Sequence, residues 1–239
     1  MDIHVSLTAQ DARRLLALLL VLEIGLVGVY GVDALVGPIR GIHSLSDLDR
    51  ETAIPTWFSS VQLFFIGTLF VLMSRQRDVS PPRSRLFLLL VAAGFIWLSL
   101  DEAVAVHEKL TGLLKDIAWI PRFKGDHGIW ILLYLPAGLI LLFACRREIV
   151  GLWRQYRRET LIFGLGAGLT LTGAVGVEIA SYLFARGEAA ALPYRLEVAL
   201  EEFLEMCGAS IILYATLLLS LRRSQAAPLE VSSDPPLVS

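Results

Sequence analysis

Cysteine is scarce in this chain, with only Cys145 and Cys207 among 239 residues. That excludes a disulfide framework and a cysteine-ligated zinc centre. A surplus of one charge is also missing, since 21 basic residues face 23 acidic ones. Nucleic acid is therefore excluded as the main partner. Histidine is limited to four residues, of which only His107 lies near an apolar run. Facing haem ligands are thereby excluded, and neither Glu-x-x-His nor His-Glu-x-x-His occurs. No strand precedes Gly164-Leu-Gly-Ala-Gly168, and the spacing is not G-x-G-x-x-G, so a nucleotide loop is excluded. Lysine supplies just three of the basic residues, a habit of GC-rich genomes that points to a bacterial source.

Apolar residues are abundant, at 55% of the chain. A soluble domain reaches about 45–50% even on a count that includes glycine, so the composition predicts an integral membrane protein. Spanning a hydrocarbon core of ~30 Å takes about 20 helical residues. Six segments qualify, at 13–36, 56–74, 85–107, 128–145, 160–185 and 197–221. The first is too long and too acidic (Glu23, Asp33) for a signal-peptide core and reads as a retained helix. Pro38, Pro55 and Pro81-Pro82 punctuate the loops, and Asp126 and Thr160 read as N-caps. Pro136 predicts a kink in the fourth helix. The expectation is an all-α, six-helix membrane domain over 1–223, with 224–239 a disordered tail.

Orientation follows from the basic residues of alternate loops. Thirteen Lys and Arg fall on the side of Arg13, Arg75, Arg146 and Arg222, and eight on the other. The expected site is the bacterial inner membrane, both termini cytoplasmic. On the outer side Leu110, Leu113, Leu114 and Ile117 recur at i, i+3, i+4, i+7. They predict an amphipathic segment lying in the interface, with Trp119 and Trp130 in an aromatic belt. Residues 42–54 read as a shorter version, and together the two would roof the outer mouth.

Against this background ionisable groups stand out, because each costs roughly 2.5–3.5 kcal/mol at a bilayer centre on insertion scales. Asp101, Glu102, His107 and Glu108 close the third segment, Glu178 lies in the fifth, and Glu197, Glu201, Glu202 and Glu205 open the sixth. With the predicted topology all of them fall in the outer part of the membrane. Glu205 lies about 12 Å below Glu197, and Asp101 about 10 Å below Glu108. On a continuous helix Asp101 and Glu108 would share a face and His107 would point some 100° away from Glu108. Carboxyl groups so gathered must share protons or enclose a cation.

Three readings follow. The first is a divalent metal site for Zn, Mn or Fe. Asp101, Glu102, Glu178, Glu201 and Glu205 would be oxygen ligands, with His107 or His127 the nitrogen donor. Glu202 and Glu108 would serve as acid–base groups, and a metal-bound water or oxygen species would act on a lipid or other lipophilic substrate. The second is proton or cation transport, although the acids crowd one side of the membrane. The third is a non-catalytic subunit whose acids pair with Arg186, Arg195 or a partner chain. Glu197, Lys109 and Asp126 lie near helix ends and read as solvated or capping. Glu23, at mid-membrane, is open between the cluster and a separate role. Gly164, Gly168, Thr172, Gly176 and Ala180 predict a small-residue ridge for helix packing.

Overall fold

A computed structural model describes residues 7–37, 43–76, 82, 84–121, 128–180 and 191–226. His127, Asp126, Pro38, Pro81, Arg186, the predicted turn of helix at 181–185 and the tail beyond Ala226 lie outside them. The described residues form helices and no strand. These are α1 (Ala9–Val36), α2 (His43–Ser46), α3 (Ile54–Arg75), α4 (Arg85–Val104), α5 (Val106–Leu114), α6 (Ile131–Ala144), α7 (Arg146–Gln155) and α8 (Arg157–Leu171). A π-helical segment, Thr172–Val177, carries α8 onward, and α9 (Ala191–Ala226) closes the order. Five helices are long and apolar enough to cross a membrane, namely Ala9–Val36, Ile54–Arg75, Arg85–Val104, Arg157–Ala180 and Leu192–Gln225. Ile131–Ala144 is apolar but has only 14 residues.

Local chemistry sets the ends. Thr8 and Asp11 form a capping box that starts α1 four residues before the predicted Arg13; each satisfies a backbone N–H of the other. Ser84 caps α4 by accepting from Phe87 N–H at 3.1 Å. Thr160, expected as a cap, lies inside α8 and donates to the Tyr156 carbonyl at 2.9 Å. The predicted third helix of 85–107 breaks at Ala105, which adopts φ 50° and ψ 52°, a left-handed conformation. His107 and Glu108 therefore belong to a separate helix. Residues 146–155, expected as loop, form the amphipathic α7.

Beside a buried apolar core, large apolar side chains lie on the outside and several charged or polar ones lie inside. Val21, Ile24, Leu35, Ile140 and Phe143 are exposed, while Glu23, Asp33, Gln62, Asp101, Glu159 and Arg223 are buried. Helices that meet in lipid are held by close packing and polar contacts, and both kinds occur here. α3 and α4 are tied by reciprocal bonds, Ser60 Oγ to the Ser99 carbonyl at 2.7 Å and Ser99 Oγ to the Ser60 carbonyl at 2.8 Å. Phe70, Phe95 and Phe163 meet between α3, α4 and α8, with ring centroids 6.1–6.4 Å apart. α9 packs against α1, α3 and α8 and is the central element.

Where α8 crosses α9 the backbones nearly touch. A Cβ on Gly166 would lie 2.7 Å from the Gly208 carbonyl oxygen, and one on Gly173 would lie 2.7 Å from that of Glu201. Gly164 and Gly168, the expected ridge, have open space around them, so the packing face is Gly166, Thr170 and Gly173 instead. Toward the cytoplasm-facing end predicted from the charge bias, Arg222 pairs with Glu159 at 3.0 Å and Arg223 donates to the Pro82 carbonyl at 3.1 Å.

Candidate metal centre at the α4–α5 break

Asp101 lies in the last turn of α4 and is buried. Because the chain turns at Ala105, α5 starts beside that carboxylate rather than stacking above it. Asp101 Oδ1 accepts the backbone N–H of His107 at 2.7 Å and the His107 ring Nδ1–H at 3.2 Å. It thus satisfies a free N–H at the start of α5 and orients the imidazole together. Lys109 Nζ donates to the Val104 carbonyl at 2.6 Å, closing the other side of the break. Tyr134 of α6 hydrogen-bonds to Asp101 and accepts from Trp97 Nε1 at 3.1 Å.

Glu51, in the turn before α3, completes a group with His107 and Glu108. One ligand atom from each lies within 4.8 Å of the others. A histidine nitrogen and two carboxylate oxygens at that spacing form a donor set that a divalent transition metal accepts. Burial would lower the His107 pKa, but the hydrogen bond and charge of Asp101, with the charges of Glu51 and Glu108, outweigh it and raise it. Burial raises the Glu51 pKa, and the Glu108 charge adds to the rise.

Deeper carboxyl groups adjoin this set. Glu102 of α4 lies near enough to Glu51, His107 and Asp101 to feel their charges. The largest charge effects on Glu202 come from Glu102, Glu201 and Glu51, and those on Glu205 from Glu202, Glu102, Glu201 and Glu178. All are carboxyl groups. Glu178, just past the π-helical segment, accepts from Trp130 Nε1 at 3.4 Å, and the Trp130 ring meets His107 edge-on at 5.6 Å. The structure thus brings Asp101, Glu102, His107, Glu108, Glu178, Glu201, Glu202 and Glu205 to one region.

Three placements differ from expectation. Glu108 does not share a helical face with Asp101; the break swings it to Glu51, and its carboxylate lies within 4.8 Å of a His107 ring nitrogen although the two remain successive residues of α5. Trp130, expected only as a belt residue, meets Glu178 and His107, and Trp119 is 82% exposed. Arg195 sits within the first turns of α9 and pairs with Asp33 at 3.7 Å. Glu51 was missed. Its signal was the acidic spacing Asp47-x-Asp49-x-Glu51 just ahead of Pro55, which periodicity assigned to a short amphipathic interfacial segment. Glu23 also separates from the cluster and bonds to α3 and α9 at a deeper level.

Two cavities flank the centre. One of about 270 Å³ is lined by Glu51, Thr52, Ala53, Thr56, Trp57, Ser60 and Ala103. The other, about 220 Å³, lies among Tyr30, His43, Asp47, Asp49, Tyr194 and Arg195. There His43 Nδ1 meets Asp33 at 2.7 Å and Tyr194 donates to Asp49 at 2.9 Å.

A family model, Domain of unknown function (DUF8692), matches residues 12–221. The chain belongs to that family, and the match takes in every helix of the centre. Searches of the curated proteins and of the solved structures find no match.

Proposed function

We propose that this family member is a multi-pass membrane enzyme that holds one divalent metal ion, Zn, Mn or Fe, at its outer mouth and acts on a lipophilic substrate. The observation that carries the proposal is the convergence of Glu51, His107 and Glu108 to within 4.8 Å beside the carboxyl groups of α4 and α9. With Nδ1 engaged by Asp101, Nε2 of His107 is the nitrogen left for the metal, the arrangement that fixes imidazole ligands elsewhere. The ion would acidify a bound water or polarise a carbonyl. Glu102 and Glu202, both close enough to feel the Glu51 charge, are further carboxyl groups to take up its proton. The 270 Å³ cavity beside Glu51, with Ala53, Trp57 and Ala103 in its wall, gives an acyl chain a place to lie.

In this reading the protein crosses a bacterial inner membrane six times with both ends cytoplasmic. The case for the sixth crossing is continuity. Trp130 and Tyr134, at the start of α6, contact Glu178 and Trp97 near the centre, whereas Cys145, just past its end, packs in the core that holds Ala12 and Met73. The chain must pass from one face to the other between α5 and α8, and of the described helices there, α6 is the apolar one and α7 the amphipathic one. Its 14 residues rise about 21 Å, short of a full core but within what local thinning absorbs.

Elemental analysis of detergent-purified protein tests the metal. About one atom per chain is expected, lost in Glu51→Gln and His107→Ala. Below roughly 0.1 atom per chain after reloading with Zn, Mn and Fe, the proposal fails. Cation conduction is the second reading, favoured by the polar Glu23 network inward of the cluster. Flux into liposomes that is the same with Glu202→Gln as with the wild type would remove it.

A further inference from the structure

We propose that Glu23, Gln62 and Ser59 form a buried site for one monovalent alkali cation between α1, α3 and α9, separate from the outer metal centre. Glu23 is 0% exposed and Gln62 2%. Gln62 Nε2 donates to Glu23 Oε1 at 3.1 Å and to Ser210 Oγ at 2.7 Å, and Ser210 Oγ donates to the same Glu23 oxygen at 2.6 Å. All three donated protons are thus spent on Oε1 and Ser210. Glu23 Oε2, Gln62 Oε1 and Ser59 Oγ are buried and have no hydrogen-bond partner among the described residues.

The groups that carry these oxygens are neighbours, since the Glu23 carboxyl and the Gln62 amide meet at 3.1 Å. Ser59 precedes Gln62 by three residues and lies on the same buried face of α3. Ser210 is five residues past Glu205, so the site lies about 7–8 Å further along α9 than the acidic cluster.

Buried polar atoms without partners call for a proton, a water or an ion. A water can satisfy the oxygens but leaves the carboxylate charge uncompensated in a medium where that is costly. A proton on Oε2 removes the charge but can be donated to only one of the other two oxygens. A cation compensates the charge and serves all three. No basic side chain among the described residues forms an ion pair with Glu23 or acts appreciably on it. The charge count selects the valence: one carboxylate and neutral oxygens balance a single positive charge, whereas a divalent ion would leave one unpaired. Carboxylate, amide carbonyl and hydroxyl oxygens are the hard donors such ions take.

The test is thermal unfolding of the full chain in detergent, in sodium, potassium or lithium chloride against N-methylglucamine chloride at equal ionic strength. A saturable rise in midpoint with at least one alkali cation is expected. It should be abolished in Glu23→Gln, need several-fold more cation in Ser59→Ala, and persist in Glu202→Gln. If Glu23→Gln does not fold, the Ser59→Ala shift decides. Equal midpoints in all four salts overturn the proposal. So does a rise that Glu23→Gln and Ser59→Ala leave unchanged, or one that Glu202→Gln alone removes.

Discussion

Asp101 shows how much a single residue can organise. Its carboxylate accepts both the backbone N–H and the ring N–H of His107, so the same group ends one helix, starts the next and aims an imidazole. Replacing it with Asn keeps the shape but removes the charge that holds the His107 pKa up. In chelator-treated protein, ring-proton NMR should show His107 titrating at lower pH in Asp101→Asn than in the wild type. The sign of the stability effect follows from the raised folded-state value. The Asp101–His107 pair contributes fully below the ordinary histidine pKa and its contribution fades as pH rises through the higher folded value. Metal affinity should fall about 10–100-fold in the same variant, as for other residues that orient a ligand. An unchanged titration would mean that Asp101 only caps α5.

At the scale of elements, the crossing of α8 on α9 decides whether Glu178 and Glu205 share a region. Gly173 sits at that crossing, where an added Cβ would meet Glu205 Cγ at 2.9 Å. Gly173→Leu should cost about 1–3 kcal/mol, the usual range for overpacking, and lower the unfolding midpoint in detergent. Gly164→Ala, with open space at the same Cβ position, should leave the midpoint unchanged or raise it slightly, since alanine favours helix by about 0.8–1.0 kcal/mol. Spacing by four finds a row of small residues but does not say which row faces a neighbour. The π-helical segment at Thr172–Val177 also shifts helical phase just where the ridge was counted. The break at Ala105 was equally invisible. No glycine or proline marks it, and the conformation is stabilised by Asp101 and Lys109 after the chain has turned.

For the whole molecule, the charged ends and the polar centre divide between two faces. Arg222, Arg223 and Glu159 gather at one end of the bundle, and Glu51, His107 and Glu108 lie at the other. Single cysteines placed at Leu113 of α5, which is 75% exposed, and at Gln155 of α7 should report the orientation. A membrane-impermeant maleimide applied to intact spheroplasts should label the first and not the second, with both labelled after lysis. The reverse pattern would invert the topology.

Composition and run length alone determined that the chain is all-helical and carries several helices apolar enough for a membrane, because the cost of exposing backbone and charge to lipid is written residue by residue. The same cost drew attention to Glu178 and to the carboxyl groups of α4 and α9, since each is expensive wherever it is buried. Only the tertiary structure decided how they are grouped. Glu51 joins His107 through a turn that periodicity cannot see, Glu108 reaches its partners only because Ala105 turns the chain, and Glu23 is drawn off to Gln62 and Ser210 by the packing of α1 against α3 and α9. Those outcomes depend on crossing positions and hydrogen bonds between residues up to 187 apart in the chain, and no local pattern records them.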